Sequence, residues 1–240
     1  MKIGILGADG RMGRTLAQEI ISGRHDAEIG AAVGRHGDKE AAFRICDVMI
    51  DFTSAQACAE HALLAQQHQK PLVVGTTGLG AAEEGALLSA SRKTAVFYAA
   101  NMSLGVNLLL SLVEQAAAKL VPEFDIEIFE AHHRHKADAP SGTALALGRA
   151  AAKGRKVKLD EVMILDRAGQ RKAGGIGISS FRGGDVVGEH TVTFAGPGER
   201  LELAHKASDR AIFARGAIKA ALWLKDRPAG LYSMRDMLGV

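Results

Sequence analysis

Along the first hundred positions, short apolar runs alternate with longer segments whose apolar residues recur at helical spacing. Lys2–Leu6 (K-I-G-I-L) reads as a buried strand and is followed by a glycine-rich turn at 7–13. Residues 14–22 then place Leu16, Ala17, Ile20 and Ile21 close to helical spacing. Further apolar runs stand at 29–33, 48–50 (ending on Asp51), 72–74 and 95–99, and helical segments at 55–67 and 81–92 separate the later ones. This alternation predicts an α/β fold with a parallel sheet covered on both faces. The stretch 34–47 is too polar and too short for a full helix, so one crossover is expected to be abbreviated.

After Asn101 the pattern changes. Residues 106–120 form a long amphipathic stretch stopped near Pro122, and 126–129 read as a strand. A polar, basic loop covers 132–140, and Ser141 opens a helix to about 153. From 162 onward β-type runs stand at 162–165, 176–181, 186–194 and 201–204, separated by glycine-rich turns. Residues 211–224 are helical again and end in Leu222-Trp223-Leu224. A βαβ half is therefore followed by an α+β half with a mixed, open sheet. If the last helix returns to the first half, the domains are 1–103 plus 213–240, and 104–212. An open sheet leaves a face that subunit pairing can use.

Composition narrows the function classes. With 47% hydrophobic and 24% charged residues, the 240-residue chain has the balance of an ordinary globular protein. The formal charge of +3 is too mild to argue for a nucleic-acid partner. Cys46 and Cys58 stand without CxxC spacing, as free thiols of a reducing compartment do. No apolar run approaches the roughly 20 residues of a membrane span. The first residues enter a strand without a signal-peptide pattern, so a cytoplasmic location without membrane partners is expected.

Two stretches carry chemistry. Gly7-Ala8-Asp9-Gly10-Arg11-Met12-Gly13 lies between a strand and a helix, where missing side chains let the backbone approach a pyrophosphate at a helix N-terminus. Its spacing is G-x-x-G-x-x-G, and a turn needed only for tight packing is the alternative. The end of the second strand, where an acid would bind the ribose 2′-hydroxyl of NAD, holds Gly34-Arg35-His36. Arg35 can instead pair with a 2′-phosphate, which favours NADPH over NADH.

The second stretch, 131–143, has five consecutive residues able to carry positive charge, His132 to Lys136, ahead of a helix start at Ser141-Gly142-Thr143. Cationic side chains beside first-turn amides suit a small anion with more than one negative charge. A histidine metal site and a merely solvated loop are the competing readings; H-H-x-H lacks the usual i, i+4 ligand spacing. Neighbouring cations would depress a histidine pKa in the empty site and a bound dianion would raise it, which suits a general acid.

Together these pieces resemble the dihydrodipicolinate reductase family. The resemblance rests on G-A-D-G-R-M-G at 7–13, I-D-F-T at 50–53, V-G-T-T-G at 74–78, A-A-N-M-S-L-G-V-N at 99–107 and E-A-H-H-R-H-K-A-D-A-P-S-G-T-A at 130–144. F-R-G-G-D-V-V-G-E-H at 181–190 and the A-L-W-L helix end extend it over nearly the whole chain. It implies a Rossmann-like dinucleotide-binding domain and NAD(P)H-dependent reduction of 4-hydroxy-tetrahydrodipicolinate in diaminopimelate and lysine synthesis. In that reaction water is lost, hydride reaches ring carbon 4 and a proton reaches carbon 3.

By resemblance, Gly7, Ala8, Asp9, Gly10, Arg11 and Met12 bind the pyrophosphate. Gly75, Thr76, Thr77, Ala99, Ala100, Asn101 and Met102 line the nicotinamide and ribose. His132 or Lys136 donates the proton, with Lys136 also offsetting carboxylate charge. His133, Ser141, Gly142 and Thr143 hold the substrate carboxylates. A homotetramer paired through the second domain's sheet is implied too. Gly34-Arg35 departs from the Glu-Arg that many members carry, and 35–47 is shorter than in many of them. Another two-domain dehydrogenase and a non-catalytic NADPH sensor remain the alternative functions.

Overall fold

A computed structural model describes residues 1–166 and 168–240 and divides the chain into two units, Met1–Leu104 with Ala211–Val240, and Gly105–Arg210. Elements are numbered along the chain. The first unit holds β1 (Lys2–Leu6), α1 (Arg11–Ile21), β2 (Glu28–Val33), α2 (Lys39–Ile45), β3 (Val48–Asp51), α3 (Ala55–His68), β4 (Leu72–Val74), α4 (Ala81–Ala90) and β5 (Ala95–Tyr98). It ends with α8 (Ala211–Leu224), β11 (Gly230–Tyr232) and α9 (Met234–Leu238). Its strands run parallel in the order β11-β5-β4-β3-β1-β2.

Strand alternation decides which residues face which helices. Ile3 and Ile5 pair in register with Val48 and Ile50, and these four pack with Leu16 and Ile20 of α1 and Ala217 and Ile218 of α8. On the other face Met49, Leu72, Val74 and Val96 pack with Phe43, Cys58, Ala62 and Leu87 of α2, α3 and α4. Both faces are covered, so these strands are apolar throughout. The crossover between β2 and β3 is α2, seven residues long, as the polar 34–47 stretch predicts.

The second unit holds α5 (Leu104–Lys119, all but its first residue), β6 (Asp125–His132), α6 (Gly142–Gly154), α7 (Leu159–Val162), β7 (Met163–Ile164), β8 (Ile176–Arg182), β9 (Gly188–Gly196) and β10 (Glu199–Ala207). Its sheet is mixed, in the order β10-β9-β6-β8-β7, with β6 parallel to β8 and antiparallel to β9. One face buries Ile126, Ile128, Ile176, Ile178, Val192 and Phe194 against Val113, Leu147 and Ala151 of the helices. On the other face Phe129 and Phe181 are each 48% exposed. Among the described residues, no helix is long and apolar enough to cross a membrane.

Three local readings need correction. Strand β6 runs on to His132, because its backbone continues to pair with β8 as far as Arg182. The expected strand at 162–165 is shortened to the two residues of β7, because Val162 ends the helical turn α7. The chain also continues past Leu224 into β11 and α9. Gly230-Leu231-Tyr232 carries no strand pattern of its own and becomes a strand only by pairing with Ala95, Val96 and Phe97 of β5.

Helix α8 packs so closely within the first unit that a Cβ on Gly216 would lie 1.7 Å from the Met102 carbonyl oxygen. Gly85 of α4 has open space around it. Helix propensity alone would favour alanine at both by about 1 kcal/mol. We therefore expect Gly85→Ala to raise the denaturation midpoint and Gly216→Ala to lower it, by about 1–3 kcal/mol of overpacking. Urea unfolding of the two variants checks the opposite signs.

Candidate active site

The first unit gathers its motifs at the carboxyl ends of its strands. The connection from β1 runs to β2 on one side and that from β3 runs to β4 on the other, so a crevice opens between the carboxyl ends of β1 and β3. Gly7 takes a φ of +85°, and its absent Cβ would meet the Phe52 carbonyl oxygen at 2.6 Å. The Gly7 and Ala8 N–H groups both donate to the Val33 carbonyl, at 2.9 and 3.1 Å, pinning the turn to the end of β2. Gly10 is the N-cap of α1, so Arg11 and Met12 stand in its first turn.

A cavity of about 510 Å³ opens here, lined by residues that include Gly7, Asp9, Gly10, Arg35, Thr53 and His61. Its floor is organised by Asp51, which is fully buried. Asp51 Oδ1 accepts from the Thr53 N–H at 2.8 Å, the Thr53 hydroxyl at 2.6 Å and the Thr76 hydroxyl at 3.0 Å. Asp51 Oδ2 faces His61 Nδ1 at 2.7 Å. Among the described residues, His61 Nε2 is buried without a hydrogen-bond partner. A glycine cradle at a helix N-terminus, a flanking arginine and an unpartnered buried nitrogen suit the adenosine and phosphate end of a dinucleotide.

The second unit builds its cluster around another buried carboxylate. Glu130, on β6, is fully buried. Arg182, at the end of β8, donates Nη1 to Glu130 Oε2 at 2.8 Å and Nη2 to Oε1 at 2.6 Å. The Ser141 N–H, at the start of α6, donates to Oε1 at 3.1 Å, and His132 Nδ1 lies 2.5 Å from Oε2. Burial alone would raise this carboxyl's pKa. The hydrogen bonds from Arg182, Ser180, His132 and Ser141 overcome that and hold it down at about 2.

Around this centre, His190 of β9 stands edge-on to His132, with ring centroids 5.1 Å apart. Its Nε2 lies 3.1 Å from the Ser141 hydroxyl oxygen. Burial, then the nearby His132, pushes the His190 pKa down to about 4, so its ring is neutral near pH 7. The His133 pKa is also lowered, by desolvation and then by Arg210, His135, His132 and Lys136. Arg210 Nη2 donates to His133 Nε2 at 2.9 Å. Lys136 Nζ donates to Asp138 Oδ1 at 2.8 Å. The loop thus presents imidazoles and cations beside the exposed Gly142 at the start of α6.

Some residues picked from the sequence stand where side-chain contact with a ligand is restricted. Ser141 is 2% exposed; its hydroxyl accepts from the Ala144 N–H as the helix cap and also meets His190. Thr76 is buried and its hydroxyl is committed to Asp51, whereas Thr77 is exposed. The Met102 side chain is in the hydrophobic core, while Ala99, Ala100 and Asn101 are at least partly accessible. Asn101 Oδ1 accepts from the Ser103 N–H at 2.9 Å. Among the described residues, no three His, Cys, Asp or Glu side chains are grouped to hold a metal ion.

Sequence reasoning missed Glu130, Arg182, His190 and His61 as site residues. The first three lay inside quoted motifs, and the signal was available: a charged residue on an otherwise alternating strand has to be paired when its face is buried.

Residues 1–102 match the family model described as dihydrodipicolinate reductase, N-terminus, and residues 105–238 match that of the C-terminus. The 4-hydroxy-tetrahydrodipicolinate reductase of Zymomonas mobilis subsp. mobilis is 51% identical over 100% of this chain and 98% of its own. That of Methylocella silvestris is 50% identical over 100% and 97%. Among solved structures, the dipicolinate-bound dihydrodipicolinate reductase from Paenisporosarcina sp. TG-14 superposes with a TM-score of 0.79 at 23% identity, covering 99% of each chain. A probable dehydrogenase from Thermotoga maritima superposes at 0.66 with 12% identity, covering 98% of this chain and 92% of its own. Two family models that together cover almost the whole sequence, and full-length relatives at half identity, establish that the chain belongs to the dihydrodipicolinate reductase family.

Proposed function

We propose that the chain is an NAD(P)H-dependent oxidoreductase that reduces 4-hydroxy-tetrahydrodipicolinate to tetrahydrodipicolinate in diaminopimelate and lysine synthesis, with NADPH the preferred cofactor. The observation that carries the chemistry is the buried Glu130 behind His132, beside a basic loop and the start of α6. A reduced nicotinamide, when bound, supplies the hydride for ring carbon 4. The glycine turn at 7–13 would hold its pyrophosphate, and Arg35 would pair with the 2′-phosphate of NADPH. Thr77 and the 99–101 segment offer the surface for the ribose and nicotinamide, while Gly75 is buried against Phe52.

The protein's own part is charge and one proton. Lys136, His133 and the N-terminus of α6 at Gly142 and Thr143 attract a dicarboxylate. Glu130 fixes the Nδ1–H tautomer of His132 and stabilises the ring when it is protonated. That leaves Nε2 as the atom that exchanges a proton. A Cβ at position 188 would approach Nε2 to 3.0 Å, so glycine there keeps it uncovered. In this reading His132 delivers the proton to ring carbon 3 and Lys136 serves chiefly as counter-charge. Two buried free cysteines fit a reducing compartment and support a cytoplasmic enzyme. Phe129 and Phe181 on the uncovered sheet face support pairing into a homotetramer.

Four measurements test this. NADPH oxidation should depend on substrate generated in situ from pyruvate and aspartate semialdehyde by a synthase. His132→Ala and Lys136→Ala should each lose about 10²–10⁴-fold in turnover with NADPH affinity nearly unchanged. Normal turnover in both variants would refute the assignment. Glu130→Gln should cost about 3 kcal/mol at neutral pH by leaving Arg182 unpaired. The wild-type carboxyl titrates at about 2 when folded and higher when unfolded, so its contribution is complete above the unfolded value and fades as pH falls toward 2. The variant should lack that acid-side loss in a pH series of unfolding curves. Replacing both Phe129 and Phe181 by Asp should reduce the sedimenting mass, with the wild type as tetramer.

A further inference from the structure

The end of β2 lacks the acid that dinucleotide sites of this fold use to grip the adenosine ribose. Gly34 stands there, but the space its side chain would take is filled. A Cβ built on Gly34 would lie 1.9 Å from Asp9 Oδ2 and 2.8 Å from Asp9 Cγ. The carboxylate of Asp9 therefore sits where the first atoms of a strand-end side chain would be, having arrived from the glycine turn on the neighbouring strand.

The backbone fixes where this side chain starts. The Gly7 and Ala8 N–H groups hold the turn to the Val33 carbonyl, one residue before Gly34. Arg14 grips the Asp9 carbonyl oxygen through Nε at 3.1 Å and Nη2 at 2.8 Å. Asp9, Gly34, Arg35 and Lys39 line one cavity. Lys39 is already committed to Glu60, at 3.0 and 3.3 Å. The mouth of the cavity thus sets one carboxylate against Arg35, and the two make opposite demands on a ribose substituent. A carboxylate accepts from a 2′-hydroxyl and repels a 2′-phosphate, whereas a guanidinium attracts the phosphate.

We propose that Asp9 is the cofactor-specificity residue of this chain. Its carboxylate replaces the missing strand-end acid, accepts from the adenosine ribose hydroxyls and opposes a 2′-phosphate, so that NADH is bound alongside NADPH. This rests on the reading of the 7–13 turn as the dinucleotide site. It also gives glycine at position 34 a reason: a side chain there would displace the Asp9 carboxylate from this position.

The test is fluorescence titration of the full chain with NADH and with NADPH, without substrate. Asp9→Asn should weaken NADH and strengthen NADPH, shifting the ratio of their dissociation constants about tenfold toward NADPH. Asp9→Gly should shift it the same way, and adding Gly34→Glu to that variant should return it toward NADH. Equal changes for both cofactors in Asp9→Asn, loss of both by a variant that still melts cooperatively, or no restoration by Gly34→Glu would overturn the assignment. A wild type that binds neither cofactor would instead refute the dinucleotide reading of the site, a result recognisable before any variant is measured.

Discussion

Glu130 joins three separate pieces of chain at one point inside the second unit. Its two oxygens receive the guanidinium that ends β8, the first amide of α6 and a ring nitrogen of His132. A carboxylate without exposure carries a large desolvation cost, and these donors together with Ser180 offset it. The same Arg182 also donates to the Asp138 carbonyl at 2.7 Å, so the basic loop is tied down near its far end too. The active cluster inherits its geometry from this ion pair. His132 has one nitrogen held by Glu130, which in the proposed reaction leaves the other to exchange a proton, and the helix capped by Ser141 points its N-terminus at the same region.

The first unit solves a similar problem with Asp51. Its carboxylate binds the I-D-F-T and V-G-T-T-G motifs to one another and to α3 through His61. Asp51 does no chemistry in the proposed reaction. It sets the height of Phe52 against the glycine turn and, by holding Thr76, of the loop that follows β4. In both units a buried acid at a strand end organises loops, so catalytic and binding groups can stay on exposed segments whose own backbone would not hold them still.

Much of the fold was legible because its signals are local. Paired apolar runs at Lys2–Leu6 and 48–50, glycine at the first turn and the β-type run at 186–194 are imposed by the nearest neighbours along the chain. The helix start at Ser141 was legible for the same reason, since a cap acts on amides only a few residues away. Elements that depend on a distant partner were not. Gly230–Tyr232 is a strand because β5 offers it an open edge, and β6 reaches His132 because β8 continues beside it.

The chemistry divides along the same line. The sequence alone established the family, through the order and spacing of motifs from Gly7 to Trp223, and it named the basic loop as the place to look. It could not say which of that loop's groups are committed to the protein itself. The fold decided that Ser141 also meets His190, that Lys136 is paired with Asp138, and that Glu130 lies behind His132. It also decided that the apparently acid-free end of β2 has an acid after all, in Asp9. Motifs record which residue types are present, but a carboxylate's partners are set by distance in space. Residues 9 and 34, or 130 and 182, come within bonding reach only once strands far apart in sequence lie side by side.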